Sequence, residues 1–209
     1  MIILASASPR RETLLRALGV AYRVIPSVAE EGGPLPEGTE RRTEALALRK
    51  AAEVAARVGE GLVLGADTIV ECEGRLLGKP HDQEEARRFL RQLSGRSHLV
   101  VTGLALVEVG SGRTETGHEV TEVLVRPLTG EEIDAYVQTG EPLDKAGGYA
   151  IQGAAGGFVE AIKGSFTNVV GLPLGRLRTL LRRFGIDPLY RPSDVSFTHS
   201  AFSDQPSAG

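Results

Sequence analysis

The stretch from Leu62 to Pro80 is the sequence feature that most restricts how this chain can fold. An apolar run, Leu62 to Leu64, is followed by Gly65 and Ala66 and then by Asp67. Leucine and valine bounded by glycine are typical of a buried strand. We therefore expect Asp67 where a strand opens out, after small residues that leave space for a ligand.

The same stretch then returns a cation toward Asp67. Gly74 lets the chain turn back after a second β-branched pair, and Lys79 follows the turn. A carboxylate and an ammonium placed together could bind and activate a metal-bound phosphate ester. A purely structural role is the alternative, in which Asp67 caps a turn and pairs with Lys79.

A second candidate site lies where a short apolar strand at the N-terminus leads into a helix. Ser8 is a good N-cap and Pro9 suits the first helical position. The unpaired amides and positive dipole of a helix start attract anions, and Ser6 adds a hydroxyl. Arg10 and Arg11 in the first turn are unfavourable with that dipole, and an anion bound between them would offset the cost. The segment is therefore either an anion site or a solvated basic turn.

Apolar periodicity and capping signals predict the other elements. Lys50 lies off the apolar stripe of one expected helix and can point to another part of the protein. Helices are expected over Glu40 to Val58, Asp82 to Leu93, Gly130 to Gln138 and Pro173 to Phe184, and strands over Ile2 to Ala5, Tyr22 to Pro26, His98 to Val109, Glu119 to Val125 and Phe158 to Ile162.

Glycine is unusually dense between Glu141 and Gly157. Such a segment lets the backbone come close to a ligand, although it could equally form a tight irregular connection. Gln152 offers both a hydrogen-bond donor and an acceptor there. We therefore consider it a candidate ligand-reading residue, with bonding to the loop backbone as the alternative.

Composition limits the class of protein. A chain of 209 residues fits one domain, expected over 1–189, with a loose Ser- and Pro-rich tail over 190–209. A net charge of −3 argues against a general nucleic-acid binder, although local cations can still bind phosphate. Cys72 is the single cysteine, which excludes an internal disulfide. Together with the lack of a signal peptide or a membrane-length apolar run, this predicts a cytoplasmic protein.

Five segments, in this order along the chain, resemble the Maf family of nucleoside triphosphate pyrophosphatases. They are Leu4 to Arg11, Gly65 to Val70, Leu77 to Pro80, Asp144 to Gly153 and Gly164 to Pro173. The resemblance implies an α/β fold, with an elongated mixed β-sheet flanked by helices and two lobes around a central cleft. It also implies a homodimer, while the lack of a membrane-length apolar run predicts no membrane partner.

The resemblance further implies hydrolysis of the bond between the α and β phosphates, with Mg²⁺ or Mn²⁺ as cofactor. With glutamine at position 152, the chain resembles the branch of the family that acts on dTTP and UTP. The implied catalytic residues are Asp67 and Lys79, and the implied metal ligands are Glu31 and Asp67. The implied substrate-binding residues are Ser6, Ser8, Arg10, Arg11, Lys50, Thr68 and Gln152.

A second hypothesis comes from a different class of protein. The family has been linked to septum formation, so the same cleft could belong to a regulator of cell division that binds a nucleotide or nucleic acid without cleaving it. Such a sensor needs cations but has no need of a general base. Asp67 near Lys79 therefore favours the enzyme.

Overall fold

A computed structural model describes residues 1–30 and 32–188 of the chain. Seven strands and six α-helices form these parts, together with three short 3-10 helices at Glu141–Asp144, Ala146–Gly148 and Ala154–Phe158. The strands are β1 (Ile2–Leu4), β2 (Tyr22–Val24), β3 (Leu62–Cys72), β4 (Arg75–Leu77), β5 (Ser97–Glu108), β6 (Thr114–Val125) and β7 (Val159–Lys163). The helices are α1 (Pro9–Ala17), α2 (Thr39–Ala55), α3 (Gln83–Leu93), α4 (Gly130–Gln138), α5 (Phe166–Val170) and α6 (Leu174–Arg183).

The strands form one mixed sheet in the order β2-β1-β3-β5-β6-β7, with β4 paired to β3. β1 is parallel to β2 and β3, and the other pairs are antiparallel. This confirms the expected mixed sheet flanked by helices. The predicted tail over 190–209 lies outside the described residues, as does Glu31.

One edge of β3 has a gap in its strand pairing. β5 pairs with β3 from Leu62 to Glu71, whereas on the other edge β1 reaches only Leu64 and β4 begins at Val70. Asp67 therefore lies in the middle of a strand and not where a strand ends, contrary to our expectation. The ladder to β5 keeps the backbone extended there, while on the opposite edge no strand of the described residues pairs with β3 between Leu64 and Val70.

The core consists of three apolar clusters. One, which includes Leu15 and Leu177, fills the face of the sheet that α1 and α6 cover. A second packs α3 and α4 against β4 and the ends of β3, β5 and β6. A third lies between the sheet and α2 and includes Ala47. Val170 of the first cluster and Val70 of the second both border the same cleft, which therefore lies between two lobes.

The helix α2 lies directly on the sheet because two strand residues lack side chains. A Cβ atom on Gly65 would lie 2.0 Å from the carbonyl oxygen of Ala47, and one on Gly103 would lie 2.2 Å from the carbonyl carbon of Thr43. The expectation that small residues before Asp67 leave space for a ligand was wrong for Gly65. The helix backbone occupies that space.

The predicted caps are present. Ser8 accepts a hydrogen bond from the amide of Arg11, with Pro9 at the first turn, and Asp82 accepts one from the amide of Glu85. Most element ends differ from the predicted ones by a few residues. β6 begins five residues before the predicted Glu119, because its pairing with β5 continues to the hairpin turn.

Candidate active site

A cleft of about 1150 Å³ opens along the unpaired edge of β3. Helix α2 and the segment before it border one side, and the start of α1 and the glycine-rich segment border the other. Every predicted site residue within the described ranges lines this cleft. These residues are Ser6, Ser8, Arg10, Arg11, Lys50, Asp67, Thr68, Lys79 and Gln152.

Asp67 forms an ion pair with Lys50 on the side of the cleft bordered by α2. The Lys50 Nζ and Asp67 Oδ1 atoms are 2.6 Å apart, and the two side chains are only 16% and 10% exposed. The prediction that Lys50 lies off the apolar stripe of its helix was wrong: Lys50 lies one turn from the buried residues Leu46 and Ala47, on the face of α2 that packs on the sheet, and so reaches Asp67 of β3. Among residues 1–30 and 32–188, the structure gives an ion pair of Asp67 with Lys50 and none with Lys79, the partner in the structural alternative.

Arg11 holds three segments of the opposite wall together. Its guanidinium donates to the Gly171 carbonyl at 2.9 Å, to Ser6 Oγ at 3.3 Å and to Thr68 Oγ1 at 3.0 Å. Thr68 Oγ1 also lies 3.0 Å from Thr102 Oγ1. Arg11 therefore positions hydroxyl groups that face the cleft, a role that its place in the first turn of α1 did not reveal.

The segment Gly164 to Pro173 supports this wall from behind. Asn168 is fully buried, and its side-chain amide donates to the Val100 carbonyl and to Thr121 Oγ1, both at 2.9 Å. Its backbone carbonyl accepts a hydrogen bond from Thr102. The sequence indicated only a helix start here, whereas the structure shows a buried polar link between α5 and the sheet.

Arg10 lies beside two carboxylates at the other end of the cleft. Burial lowers the pKa of the Arg10 guanidinium, while the charges of Asp144 and Glu141 act in the opposite direction. Burial would raise the pKa of Asp144, but a hydrogen bond from Lys145 and the charges of Lys145 and Arg10 lower it on balance. Arg10 makes no side-chain hydrogen bond within the described parts of the chain, and it lines the cleft.

Gln152 is exposed at the mouth of the cleft. Within residues 1–30 and 32–188 its amide makes no hydrogen bond, so the alternative of a bond to the loop backbone is not supported. Glu141 instead anchors the next residues. It accepts a hydrogen bond from the amide of Ala154 at 3.4 Å, and a Cβ atom on Gly153 would lie only 1.7 Å from its Oε1 atom.

Tyr149 and His98 form a buried pair behind the glycine-rich segment. The tyrosine hydroxyl lies 2.7 Å from His98 Nε2, and the two rings meet edge to face. Burial lowers the pKa of His98 to about 4 and raises that of Tyr149. His98 is therefore a neutral structural residue at neutral pH. Tyr149 also lines the cleft, which no sequence signal indicated.

The oxygen donors of the cleft are compatible with a hard divalent cation. No group of three or more His, Cys, Asp or Glu side chains comes together to hold a metal in the part of the chain that the structure describes. Mg²⁺, however, commonly binds through one or two carboxylates together with water and substrate phosphates. Asp67 supplies one carboxylate at the centre of the cleft, which fits that mode of binding.

The chain belongs to the Maf-like protein family, whose model matches residues 1–184. Relatives named dTTP/UTP pyrophosphatase include one from Pelotomaculum thermopropionicum, 47% identical over 188 residues, which cover 90% of this chain and 98% of the relative. Another, from Moorella thermoacetica, is 50% identical over 186 residues, which cover 89% of this chain and 96% of the relative. Among the described residues, no helix is long and apolar enough to cross a membrane.

Proposed function

We propose that this protein is a nucleoside triphosphate pyrophosphatase that hydrolyses dTTP and UTP to the monophosphate and pyrophosphate. The observation that carries the proposal is the Asp67–Lys50 ion pair, 2.6 Å long, on the unpaired edge of a strand in a cleft rich in cations. A triphosphate requires several cations, and this cleft supplies them from both walls. Relatives that cover most of this chain are named for the same activity.

In the proposed reaction, Asp67 accepts a proton from water while the water oxygen attacks the α phosphorus. The bond between that phosphorus and the bridging oxygen breaks, and pyrophosphate leaves with the bonding electron pair. Lys50 holds the carboxylate in position through its hydrogen bond. Lys79, exposed on the cleft wall, is placed to neutralise charge on the phosphates.

A divalent metal, Mg²⁺ or Mn²⁺, completes the proposal. Asp67 would hold it together with Glu31, which lies outside the described residues. Bound there, the metal would neutralise phosphate charge. Removal of divalent cations with a chelator should therefore abolish pyrophosphate release, and added Mg²⁺ or Mn²⁺ should restore it.

Base selection is assigned to the opposite wall. Uracil and thymine present an N3–H donor beside an O4 acceptor, and the amide of Gln152 can pair with both at once. Thr68 and Arg10 lie in the same cleft and would help to set this selectivity. A site that hydrogen-bonds a substrate group discriminates strongly against bases that spoil the pairing.

A cytoplasmic homodimer is also proposed. The resemblance to a dimeric family supports the dimer, and a single buried cysteine, Cys72, is consistent with a reducing compartment. Light scattering of the purified protein would give twice the chain mass of 22.2 kDa if the dimer forms. A mass equal to one chain across the micromolar range would contradict the dimer.

The decisive experiment measures pyrophosphate release from dTTP, UTP, CTP and GTP with and without Mg²⁺. In the variant Asp67→Asn the amide fits the same space but cannot accept the proton. Turnover should therefore fall by about a hundredfold or more, while the dissociation constant for UTP changes little. A variant that keeps more than half of the wild-type turnover would exclude Asp67 as the base. A wild-type protein that binds UTP but releases no pyrophosphate would favour the regulator hypothesis.

A further inference from the structure

Helix α2 brings a second cation, Arg42, to the cleft in addition to Lys50. Arg42, Leu46 and Lys50 all line the cleft, at the spacing of four residues that places side chains on one face of a helix. The side chain of Arg42 is half-buried, yet it makes no hydrogen bond or ion pair within residues 1–30 and 32–188. A partly buried cation without a partner is unfavourable, so a bound anion would stabilise it.

The position of Arg42 follows from how α2 crosses β3. Side chains alternate along a strand, so Asp67 and Glu71 face α2 while Thr68 faces the opposite wall. The hydroxyl of Thr39 donates to Glu71, and Lys50 near the other end of the helix donates to Asp67. The helix therefore runs antiparallel to β3. Arg42 must lie on the Asp67 side of the sheet, displaced from Lys50 toward β4.

This location separates Arg42 from the residues that are proposed to select the nucleobase of the substrate. Lys79 comes just after β4, which pairs with β3 from Val70 onward, and it also lines the cleft. Thr68 and Arg11 contact each other on the opposite face of the sheet. A ligand with its base near Thr68 and its α phosphate near Asp67 would extend its remaining phosphates toward Arg42 and Lys79.

Resting on the function proposed above, we propose that Arg42 binds the terminal phosphates of the substrate, which leave as pyrophosphate. A guanidinium can donate two parallel hydrogen bonds to a phosphate group. It would thus hold the leaving group beside Lys79 while Lys50 holds the catalytic carboxylate. Arg42 is then a substrate-binding residue specific for the pyrophosphate half of the ligand.

The test compares Arg42→Ala and Arg42→Lys with the control Arg41→Ala. Arg41 is the adjacent arginine, so Arg41→Ala removes the same charge. Its side chain, however, is exposed and does not line the cleft. Calorimetric titration with inorganic pyrophosphate in the presence of Mg²⁺ measures binding without turnover. Inhibition of UTP hydrolysis by pyrophosphate and by UMP measures the two halves of the ligand separately.

The dissociation constant for pyrophosphate and the KM for UTP should rise about tenfold or more in Arg42→Ala, the scale of a lost charged hydrogen bond. Arg42→Lys should show a smaller rise, while Arg41→Ala and inhibition by UMP should stay within about twofold of wild type. Unchanged pyrophosphate binding in Arg42→Ala, or an equal loss in Arg41→Ala, would overturn the inference. A wild type that binds pyrophosphate through Arg42 but does not hydrolyse UTP would instead refute the proposed function alone.

Discussion

Adding one methyl group at Gly65 should loosen both the fold and the active site. Gly65 lies in β3 directly under α2, and the same helix carries Lys50 to Asp67. The variant Gly65→Ala adds a Cβ atom 2.0 Å from the carbonyl oxygen of Ala47 and 2.9 Å from the amide nitrogen of Ala51. Both atoms belong to the helix backbone, so no side-chain rotation can relieve the clash.

The size of the effect follows from the distances. Ordinary contacts begin near 3.4 Å, so the helix must move away by more than 1 Å at Ala47. Overpacking of this kind typically costs about 1–3 kcal/mol of stability. The Lys50–Asp67 distance of 2.6 Å cannot absorb a shift of that size and remain a good hydrogen bond. We expect kcat/KM for UTP to fall by about tenfold, since misplacing a catalytic group by 1 Å can cost up to about a hundredfold.

Urea denaturation and UTP kinetics of Gly65→Ala should be measured beside Gly59→Ala. A Cβ atom on Gly59 would have no other atom within 4 Å, which makes this substitution a matched control. Gly59→Ala should behave as wild type in both assays. If Gly65→Ala unfolds at the same urea concentration as wild type and keeps its kcat/KM, contact between α2 and β3 does not position Lys50.

Four further substitutions test the opposite wall, the cations and the buried histidine. In Gln152→Glu the ionised carboxylate can only accept hydrogen bonds, so most of the preference for dTTP and UTP over GTP should be lost; equal kcat/KM ratios in both proteins would exclude Gln152 as the base reader. Arg10→Ala and Lys79→Ala should each lower kcat/KM for UTP, with a loss of transition-state stabilisation of at most a few kcal/mol. An unchanged kcat/KM in either variant would exclude that residue from the site. His98 has its pKa lowered from 6.5 to about 4, so the unfolded chain binds a proton that the folded chain does not. The free energy of unfolding should therefore fall by up to about 3 kcal/mol between pH 6.5 and 4 in wild type, and His98→Gln should lack this component; parallel pH profiles of the two proteins would contradict it.

Local signals predicted most of the elements, because caps, glycine turns and apolar periodicity act over a few residues. Ser8 and Pro9 start α1 as expected, and the hairpin of β5 and β6 forms around the predicted turn. The prediction that the site residues share one cleft came from the family resemblance and not from local patterns. The ends of β6 and of α2 were less predictable, because pairing and packing with distant segments decide where an element stops.

The position of Arg42 is only partly encoded in its local sequence. Its spacing of eight residues from Lys50 places both on one face of α2, which is visible in the sequence. What the sequence could not show is that this face borders a cleft. That fact depends on β1 ending at Leu64 and β4 beginning at Val70, two strands that come from different parts of the chain.

The sequence by itself determined the kind of strand, turn and helix start that surround Asp67, because those features depend on neighbouring residues. Only the tertiary structure decided which groups meet there. Lys50, 17 positions away, pairs with Asp67, and Arg11 reaches Gly171, 160 positions away. Such contacts depend on how closely α2 and α5 pack on the sheet. Packing of that kind is set by all the layers together, so no single segment encodes it.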